Sequence, residues 1–186
     1  MILLFGPPGA GKSMQGQMLA VRQGWKWLST GEMLRRSNDP AVIDILRSGE
    51  LVSDALIYQV FEQAVQDARN KKYPNIIVDG FPRTKEQAAW LDEYMARMNE
   101  KIDTVISLEV PESEIMRRLE KRGRLEDTPE AIARRMTIYR QKMYPVLGIF
   151  AEAGVRIVHL DGVGTAGEVH ELQRSEERRV GKECRS

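Results

Sequence analysis

The first 13 residues constrain the fold more strongly than any other part of the chain. The apolar run Met1–Phe5 leads directly into GPPGAGKS at positions 6–13, and a helix-compatible stretch follows from Met14 to Gln23. A strand, a glycine-rich loop and a helix in this order are the context expected of a G-x-x-x-x-G-K-[ST] phosphate loop. The alternative, an ordinary glycine–proline turn before a helix, is disfavoured because pattern and context agree.

The residue types in this loop suit the binding of phosphate. Gly9 and Gly11 allow the backbone to turn so that successive N–H groups point at one anion. The N-terminus of the following helix adds the positive end of its dipole, and Lys12 places an ammonium among the phosphate oxygens. The loop therefore predicts a binding site for phosphate groups.

Composition indicates one globular domain. The chain has 186 residues, of which 42% are hydrophobic and 30% are charged. The N-terminal apolar run is much too short for a signal peptide or a membrane span, so we expect a cytoplasmic protein. The single cysteine, Cys184, excludes a disulfide framework and a cysteine-built zinc site. A net charge of +1 suggests neither nucleic acid nor membrane as a partner, and we expect a monomer.

The tail, residues 174–186, is interpreted as a non-native segment. It has almost no apolar residues and shows neither helical nor strand periodicity. It also resembles the translation of a common DNA-sequencing adapter; a natural charged tail is the alternative. Its five positive and three negative residues contribute +2, so the chain without the tail carries a net charge of −1. We exclude it from the fold and expect it to be disordered.

The remainder alternates strands and helices. Apolar or β-branched runs predict five strands, at 1–5, 25–28, 76–78, 104–108 and 155–160. Between them lie helix-compatible stretches, including a long helix from Asp54 to about Asn70, capped by Ser53, with Leu56, Val60, Ala64 and Ala68 on one face. This alternation predicts an α/β phosphate-loop NTPase fold, with a parallel five-stranded sheet flanked by helices. Ligands bind at the carboxyl ends of such strands, where the phosphate loop and Asp79 both fall.

Three further motifs follow the phosphate loop. They are STGEMLR at positions 29–35, GELV at 49–52 and DGFPRTKEQ at 79–87. In this order and spacing they resemble the adenylate kinase family, over residues 1–173. The resemblance implies Mg²⁺-dependent phosphoryl transfer from ATP to AMP, ATP + AMP ⇌ 2 ADP, and a role in nucleotide homeostasis. It also implies a single domain at 1–173, with an AMP-binding segment at 30–59 and a lid at 118–128.

The resemblance assigns residues to two substrate sites. The ATP site comprises Gly9, Ala10, Gly11, Lys12, Ser13, Met14, Arg118, Arg122 and Gly164. The AMP site comprises Thr30, Arg35, Glu50, Leu51, Val52, Gly80, Phe81, Pro82, Arg83, Gln87, Arg124 and Arg135. The catalytic group comprises Lys12, Arg83, Arg122, Arg124 and Arg135.

Transfer between two polyanions explains the number of arginines. No protein nucleophile is needed, so catalysis consists of positioning and charge neutralisation, and arginine clamps phosphate oxygens at two points. From the residues alone, a solvated helix face paired with Glu120, Glu126, Asp127 and Glu130 is the favoured interpretation of these arginines, and the family resemblance is what favours function. Asp79 and Ser13 are predicted to hold Mg²⁺, Asp79 through water; a strand-end capping role is the alternative for Asp79.

The chain departs from the family pattern at three places. Only Gly123 separates Arg122 from Arg124, so the lid is vestigial and excludes water less completely. Ser13 and Met14 replace the usual glycine and threonine. Glu126-Asp127 stands where paired aspartates are common.

Two alternative functions use the same phosphate loop. The first is a kinase of UMP and CMP, which usually carries alanine at the position of Thr30 and asparagine at that of Gln87. The glutamine amide suits the adenine edge, which favours AMP. The second is a nucleotide-binding regulatory protein without turnover, which the arginines around a second anion site disfavour.

Overall fold

The computed structural model describes residues 1–37, 39–124 and 126–172. Five strands form one parallel sheet in the order β2-β3-β1-β4-β5. Their bounds are β1 Ile2–Phe5, β2 Lys26–Ser29, β3 Ile76–Asp79, β4 Thr104–Glu109 and β5 Arg156–Asp161. The predicted five-stranded parallel sheet is confirmed, with each boundary within one residue of its predicted place. The predicted tail at 174–186 lies outside the described residues.

Helices connect the strands and cover both faces of the sheet. Their bounds are α1 Lys12–Gln23, α2 Thr30–Arg35, α3 Pro40–Ser48, α4 Asp54–Asn70, α5 Lys85–Arg97, α6 Glu112–Arg122, α7 Pro129–Ile138 and α8 Tyr144–Glu152, followed by α9 at 166–172. Several begin at the polar caps that the sequence offers. Ser29, Asp39, Thr84 and Thr128 each accept a backbone N–H in the first turn of the helix that follows.

Alternating residues of β1 point into two separate cores. Leu3 and Phe5 pack with α4, α5 and α8 on one face, whereas Ile2 and Leu4 pack with α1 and α9 on the other. Every residue of β1 and of β3 is buried. This explains why both strands read as continuous apolar runs. A third, smaller cluster joins α6 to α7 through Ile115, Leu119, Ile132 and Met136.

The predicted core face of α4 is one residue out of register. The fully buried positions are Ile57, Phe61, Val65 and Ala68, while Leu56, Val60 and Ala64 are only partly buried at the edge of the core. The error arises because two neighbouring apolar stripes run along this helix, and Phe61 fixes which one faces inward by packing against Phe81 with ring centroids 4.8 Å apart. Ser53 occupies the N-cap position, but its side chain makes no cap hydrogen bond.

The helices α7 and α8 are joined without a break. A π-helical segment, Tyr139–Met143, connects them, and Pro145 lies in the first turn of α8. Proline lacks the N–H that an α-helix would need there, and the wider π turn accommodates it within the helix. Tyr139 and Met143 are buried by this arrangement.

Candidate active site

A cavity opens at the carboxyl edge of the sheet, above β1 and β3. The parallel register brings Ser29 of β2 beside Asp79 of β3, and Leu4 of β1 pairs with the same Asp79. Residues from the phosphate loop, α2, α3, α6 and α7 complete the wall. The lining residues that bear on function are Gly9, Gly11, Lys12, Ser13, Met14, Arg35, Glu50, Leu51, Asp79, Gly80, Arg83, Arg118, Arg122, Arg124, Glu126 and Arg135.

The phosphate loop has the backbone that its glycines permit. Gly9 and Gly11 adopt positive φ values of 83° and 98°. The ammonium of Lys12 donates to the carbonyl oxygens of Gly6 at 2.8 Å and Pro7 at 2.9 Å. Burial lowers the pKa of Lys12 to about 8, with Asp79 opposing the shift and nearby arginines adding to it. The ammonium is therefore held at the loop in a position from which it can turn toward an anion.

Ser13 and Asp79 meet beside this loop. The Ser13 hydroxyl donates to Oδ2 of Asp79 at 2.6 Å, and the aspartate is 4% exposed. Among the described residues, no group of three or more His, Cys, Asp or Glu side chains is arranged to hold a metal. Two protein oxygens suit Mg²⁺, which takes few protein ligands and completes its shell with waters and phosphate oxygens. The pair fits the predicted metal, and its role stays a prediction.

The turn after β3 presents Arg83 toward the cavity. Nε of Arg83 donates to the Gly80 carbonyl at 2.6 Å, and the Thr30 hydroxyl donates to the same oxygen at 2.9 Å. Burial, opposed by Asp79 and assisted by Arg35 and Arg135, lowers the pKa of Arg83. Thr30 is fully buried and so braces the turn beneath the cavity.

Gln87 is engaged on both sides of its amide. Its Oε1 accepts the backbone N–H of Arg83 at 2.7 Å, and its Nε2 donates to Oδ1 of Asp54 at 2.7 Å. The residue is 2% exposed. These two bonds fix which end of the amide faces which partner, since a carboxylate only accepts and a backbone N–H only donates.

Arg118 ties three elements together at the other end of the cavity. Its guanidinium donates to the carbonyl oxygens of Ala10 at 3.3 Å, Gly162 at 2.8 Å and Gly164 at 3.3 Å. Its Nε pairs with Glu114 at 2.6 Å. The predicted Arg118 and Gly164 are therefore in contact, although they lie 46 residues apart in sequence.

Asp127 holds two of the predicted catalytic arginines. Its carboxylate accepts from Nε of Arg122 at 2.7 Å and from Nη2 at 2.5 Å, and it accepts from Nη2 of Arg135 at 2.7 Å. The Asp127 side chain is 2% exposed. Burial alone would raise the pKa of Asp127, but the hydrogen bonds from both arginines outweigh burial and lower it.

Glu126 lines the cavity and contacts two of its arginines. Its Oε1 is 3.4 Å from Nη1 of Arg35 and 3.8 Å from Nη1 of Arg124. Burial, together with the neighbouring Arg122 and Arg35, lowers the pKa of Arg124. Residues 126 and 127 thus supply one carboxylate to each of two arginine pairs.

The end of α3 closes against α7 across the cavity. Glu50, just after α3, forms an ion pair with Arg134 of α7. A Cβ added to Gly49, which has a φ of 79°, would lie 2.8 Å from the Ala131 carbonyl oxygen. Only glycine allows so close an approach at this conformation. Sequence reasoning missed this contact, although the glycine of the GELV motif, Gly49, is the residue that makes it possible.

Seven predicted site residues do not line the cavity. Six are buried behind it, namely Ala10, Thr30, Val52, Phe81, Pro82 and Gln87. The seventh, Gly164, is exposed outside the cavity and accepts a hydrogen bond from Arg118. Conversely, Leu46, Gly49, Glu126, Ile138 and Met143 line the cavity without having been predicted to do so. Glu126 had the clearest signal, because it sits directly before an aspartate between two arginine-rich helices.

Comparisons with known proteins agree with these motifs. The family model described as adenylate kinase matches residues 4–155. An adenylate kinase of Maricaulis maris is 38% identical over 178 residues, covering 90% of this chain and 93% of the relative. An adenylate kinase of Thermus thermophilus is 37% identical over 179 residues, covering 91% and 92%. One from Salinibacter ruber is 32% identical over 201 residues, covering 90% and 93%. Within the described part of the chain, every helix is too short or too polar to cross a membrane.

Proposed function

The chain belongs to the adenylate kinase family, and from that premise we propose that the cavity at the sheet edge binds both substrates of the reaction ATP + AMP ⇌ 2 ADP. Its activity is that of an adenylate kinase, a phosphotransferase of nucleotide biosynthesis whose acceptor is a phosphate group. What remains to be assigned is which residues of this chain hold which substrate.

A second arginine-lined anion site beside a phosphate loop carries the proposal. The loop with Lys12 forms one set of lining residues, and Arg35 and Arg83 form a second set; Arg122 and Arg135 line the same cavity. A protein that only binds ATP needs the first set alone. Two sets facing one space suit a donor and an acceptor held with their phosphates in line.

In this proposal the phosphate loop takes the donor and the turn after β3 takes the acceptor. Loop N–H groups and Lys12 bind the β- and γ-phosphates of ATP, and Arg35, Arg83 and Arg124 bind the phosphate of AMP. Arg122, Arg124 and Arg135 neutralise charge on the transferring group. Ser13 and Asp79 would hold Mg²⁺, whose charge compensates that of the ATP phosphates.

The acceptor base is proposed to lie near Gln87. One N–H of its amide and one lone pair of its oxygen remain beyond the bonds to Asp54 and Arg83. Adenine offers an amino group and an adjacent ring nitrogen that match such a pair. Since Gln87 lies behind the wall, contact with a base requires the segment carrying α3 and the start of α4 to move aside.

The domain assignment follows from the same arrangement. We propose residues 1–173 as a single nucleoside monophosphate kinase domain, with the acceptor segment at 30–59 and a vestigial lid at 118–128. The ion pair of Glu50, just after α3, with Arg134 of α7 substitutes for part of the shortened lid. The expected cytoplasmic monomer, binding neither nucleic acid nor membrane, stays a prediction.

The test is steady-state ADP formation from Mg-ATP with AMP, UMP and CMP as acceptors. We expect AMP to be preferred by at least about tenfold in kcat/KM, because a site built to hydrogen-bond one base leaves buried polar groups unpaired with another. Lys12→Ala should lower turnover by about 100-fold or more, a loss typical of a removed oxyanion partner. Lys85→Ala, at the exposed start of α5, is the matched control.

Each alternative has its own outcome in this assay. Equal or better use of CMP would assign the chain to the kinases of UMP and CMP. Nucleotide binding without ADP formation would indicate a regulatory protein. Turnover unchanged in Lys12→Ala would remove the phosphate loop from the mechanism.

A further inference from the structure

Two adjacent carboxylates, Glu126 and Asp127, meet the cavity arginines in different ways. Asp127 makes three hydrogen bonds of 2.5–2.7 Å to Arg122 and Arg135 and is almost fully buried. Glu126 makes two longer contacts, of 3.4 Å and 3.8 Å, and its side chain lines the cavity. Asp127 is therefore built into the wall, whereas the Glu126 carboxylate is exchangeable.

The partners of Glu126 are arginines assigned to the acceptor site. Arg35 is on α2, close to Arg83: a Cβ added to Gly31 would lie 3.4 Å from Nη1 of Arg35 and 3.8 Å from Nη2 of Arg83. Arg124 follows α6. The Glu126 carboxylate therefore pairs with one arginine from α2 and one from the connection after α6.

A carboxylate and a phosphate compete for the same guanidinium groups. Both are anions that can accept two N–H bonds from an arginine fork. The phosphate carries more charge and more acceptor oxygens, so it competes with a carboxylate held by contacts of 3.4–3.8 Å. Displacement still has a cost, because the carboxylate must give up its partners and then lies near a second anion.

We propose that Glu126 is an internal competitor of AMP, occupying the acceptor-phosphate position on Arg35 and Arg124 and thereby setting the affinity for the acceptor. The proposal rests on the acceptor site placed above. Its consequence is selectivity: small anions such as inorganic phosphate gain too little binding energy to displace the carboxylate, whereas AMP adds the contacts of its base and ribose.

The experiment compares Glu126→Gln with the wild-type chain in steady-state kinetics, with AMP and Mg-ATP varied separately and inorganic phosphate added as inhibitor. Glutamine keeps the length and shape of the side chain and removes its charge. We expect KM for AMP to fall about three- to tenfold, which is about 0.7 to 1.4 kcal/mol. KM for ATP should change less than about twofold, and inhibition by inorganic phosphate competitive with AMP should strengthen by the same three- to tenfold.

Two further variants separate competition from general loss of negative charge. Glu126→Asp withdraws the carboxylate by one methylene, so KM for AMP should fall partway toward the value in Glu126→Gln. Glu130→Gln removes an exposed carboxylate from the first turn of α7, four residues along, and should leave both KM values unchanged. A purely structural role for Glu126 would change kcat or stability without strengthening phosphate inhibition, and that result would overturn the proposal.

A fourth variant, Arg35→Ala, makes the possible failures distinguishable. If KM for AMP rises at least about tenfold in Arg35→Ala but is unchanged or raised in Glu126→Gln, the acceptor site stands and the competitor proposal is overturned. If Arg35→Ala leaves KM for AMP unchanged, the placement of the acceptor phosphate is itself wrong, and the competitor proposal falls with it.

Discussion

Replacing Asp127 with asparagine tests how the arginines of the cavity are kept in place. In the wild-type chain both carboxylate oxygens accept hydrogen bonds from Arg122 and Arg135, and the side chain is 2% exposed. An asparagine offers one oxygen and one amide nitrogen in the same volume. The amide nitrogen is a donor and cannot accept an N–H from a guanidinium. One of the two hydrogen bonds between Arg122 and residue 127 is therefore lost.

The magnitude follows from the burial of each partner. Removing one member of a fully buried ion pair costs about 3–5 kcal/mol. Here the arginine side chains are 29% and 20% exposed, and water can partly replace the lost oxygen. We therefore expect a loss of about 2–3 kcal/mol in the free energy of unfolding, near the value of a charged hydrogen bond. For a chain of this length that is about 4–12 °C in Tm.

The effect depends on pH in a defined direction. The arginine hydrogen bonds lower the pKa of Asp127 in the folded protein, although burial opposes them. A lowered folded-state pKa gives stabilisation that is complete above the unfolded pKa and is lost as pH falls through the folded value. The difference between wild type and Asp127→Asn should hence be constant above about pH 5 and shrink below about pH 4.

Urea denaturation at about pH 7 and about pH 3.5, together with kcat at about pH 7, measures these effects. Asp92→Asn, which removes an exposed carboxylate from α5, is the matched control. We expect kcat in Asp127→Asn to fall about tenfold or more, since Arg122 and Arg135 lose their common anchor. Stability within about 0.5 kcal/mol of the control, with kcat unchanged, would refute the claim that Asp127 positions both arginines.

Two further predictions concern the phosphate loop and the acceptor base. Because the pKa of Lys12 is about 8 and the protonated form binds phosphate, kcat/KM should fall as pH rises through about 8. The variant Lys12→Arg stays charged and should not show that decline. An identical pH profile of kcat/KM in both proteins would contradict this prediction. Gln87→Ala leaves the buried N–H of Arg83 without its partner, so unfolding should become easier by about 1–3 kcal/mol. In the same variant the preference for AMP over CMP should narrow through a higher KM for AMP, and an unchanged preference would exclude Gln87 from base recognition.

The central strands and the phosphate loop were predictable because each is specified locally. Ile76–Asp79 and Ile2–Phe5 are buried on both faces between two helical layers, and their apolar runs are what such burial requires. The loop that follows the first strand carries its glycines at fixed intervals. The contact of Ser13 with Asp79 then followed from the rule that the carboxyl ends of parallel strands share one edge.

The remaining errors concern choices made by tertiary packing. In α4 the sequence contains two adjacent apolar stripes. The packing of Phe61 against Phe81 determines which of the two stripes faces the core. The π segment Tyr139–Met143 depends on how the helix accommodates Pro145 while it keeps Tyr139 and Met143 buried. Neither choice leaves a periodic signal in the chain.

Long-range ion pairs were equally beyond sequence reasoning. Glu50 and Arg134 are 84 residues apart, and Arg35 and Glu126 are 91 apart. Both pairs exist because the segment that carries α2 and α3 lies against α7 and the connection before it. The sequence offers many acidic partners for each arginine, and surface pairs add too little free energy to select one. The structure selects them by bringing the acceptor segment and the short connection after α6 to the same cavity.

The most direct test of the central claim is a calorimetric titration of AMP into the chain saturated with a non-hydrolysable ATP analogue and Mg²⁺. If the phosphate loop takes the donor while Arg35 and Arg83 take the acceptor, one AMP should bind per chain, with a Kd within about tenfold of its value without the analogue. If the saturating analogue instead abolishes AMP binding, the two nucleotides share one site, and the assignment of separate donor and acceptor sites in this cavity is wrong.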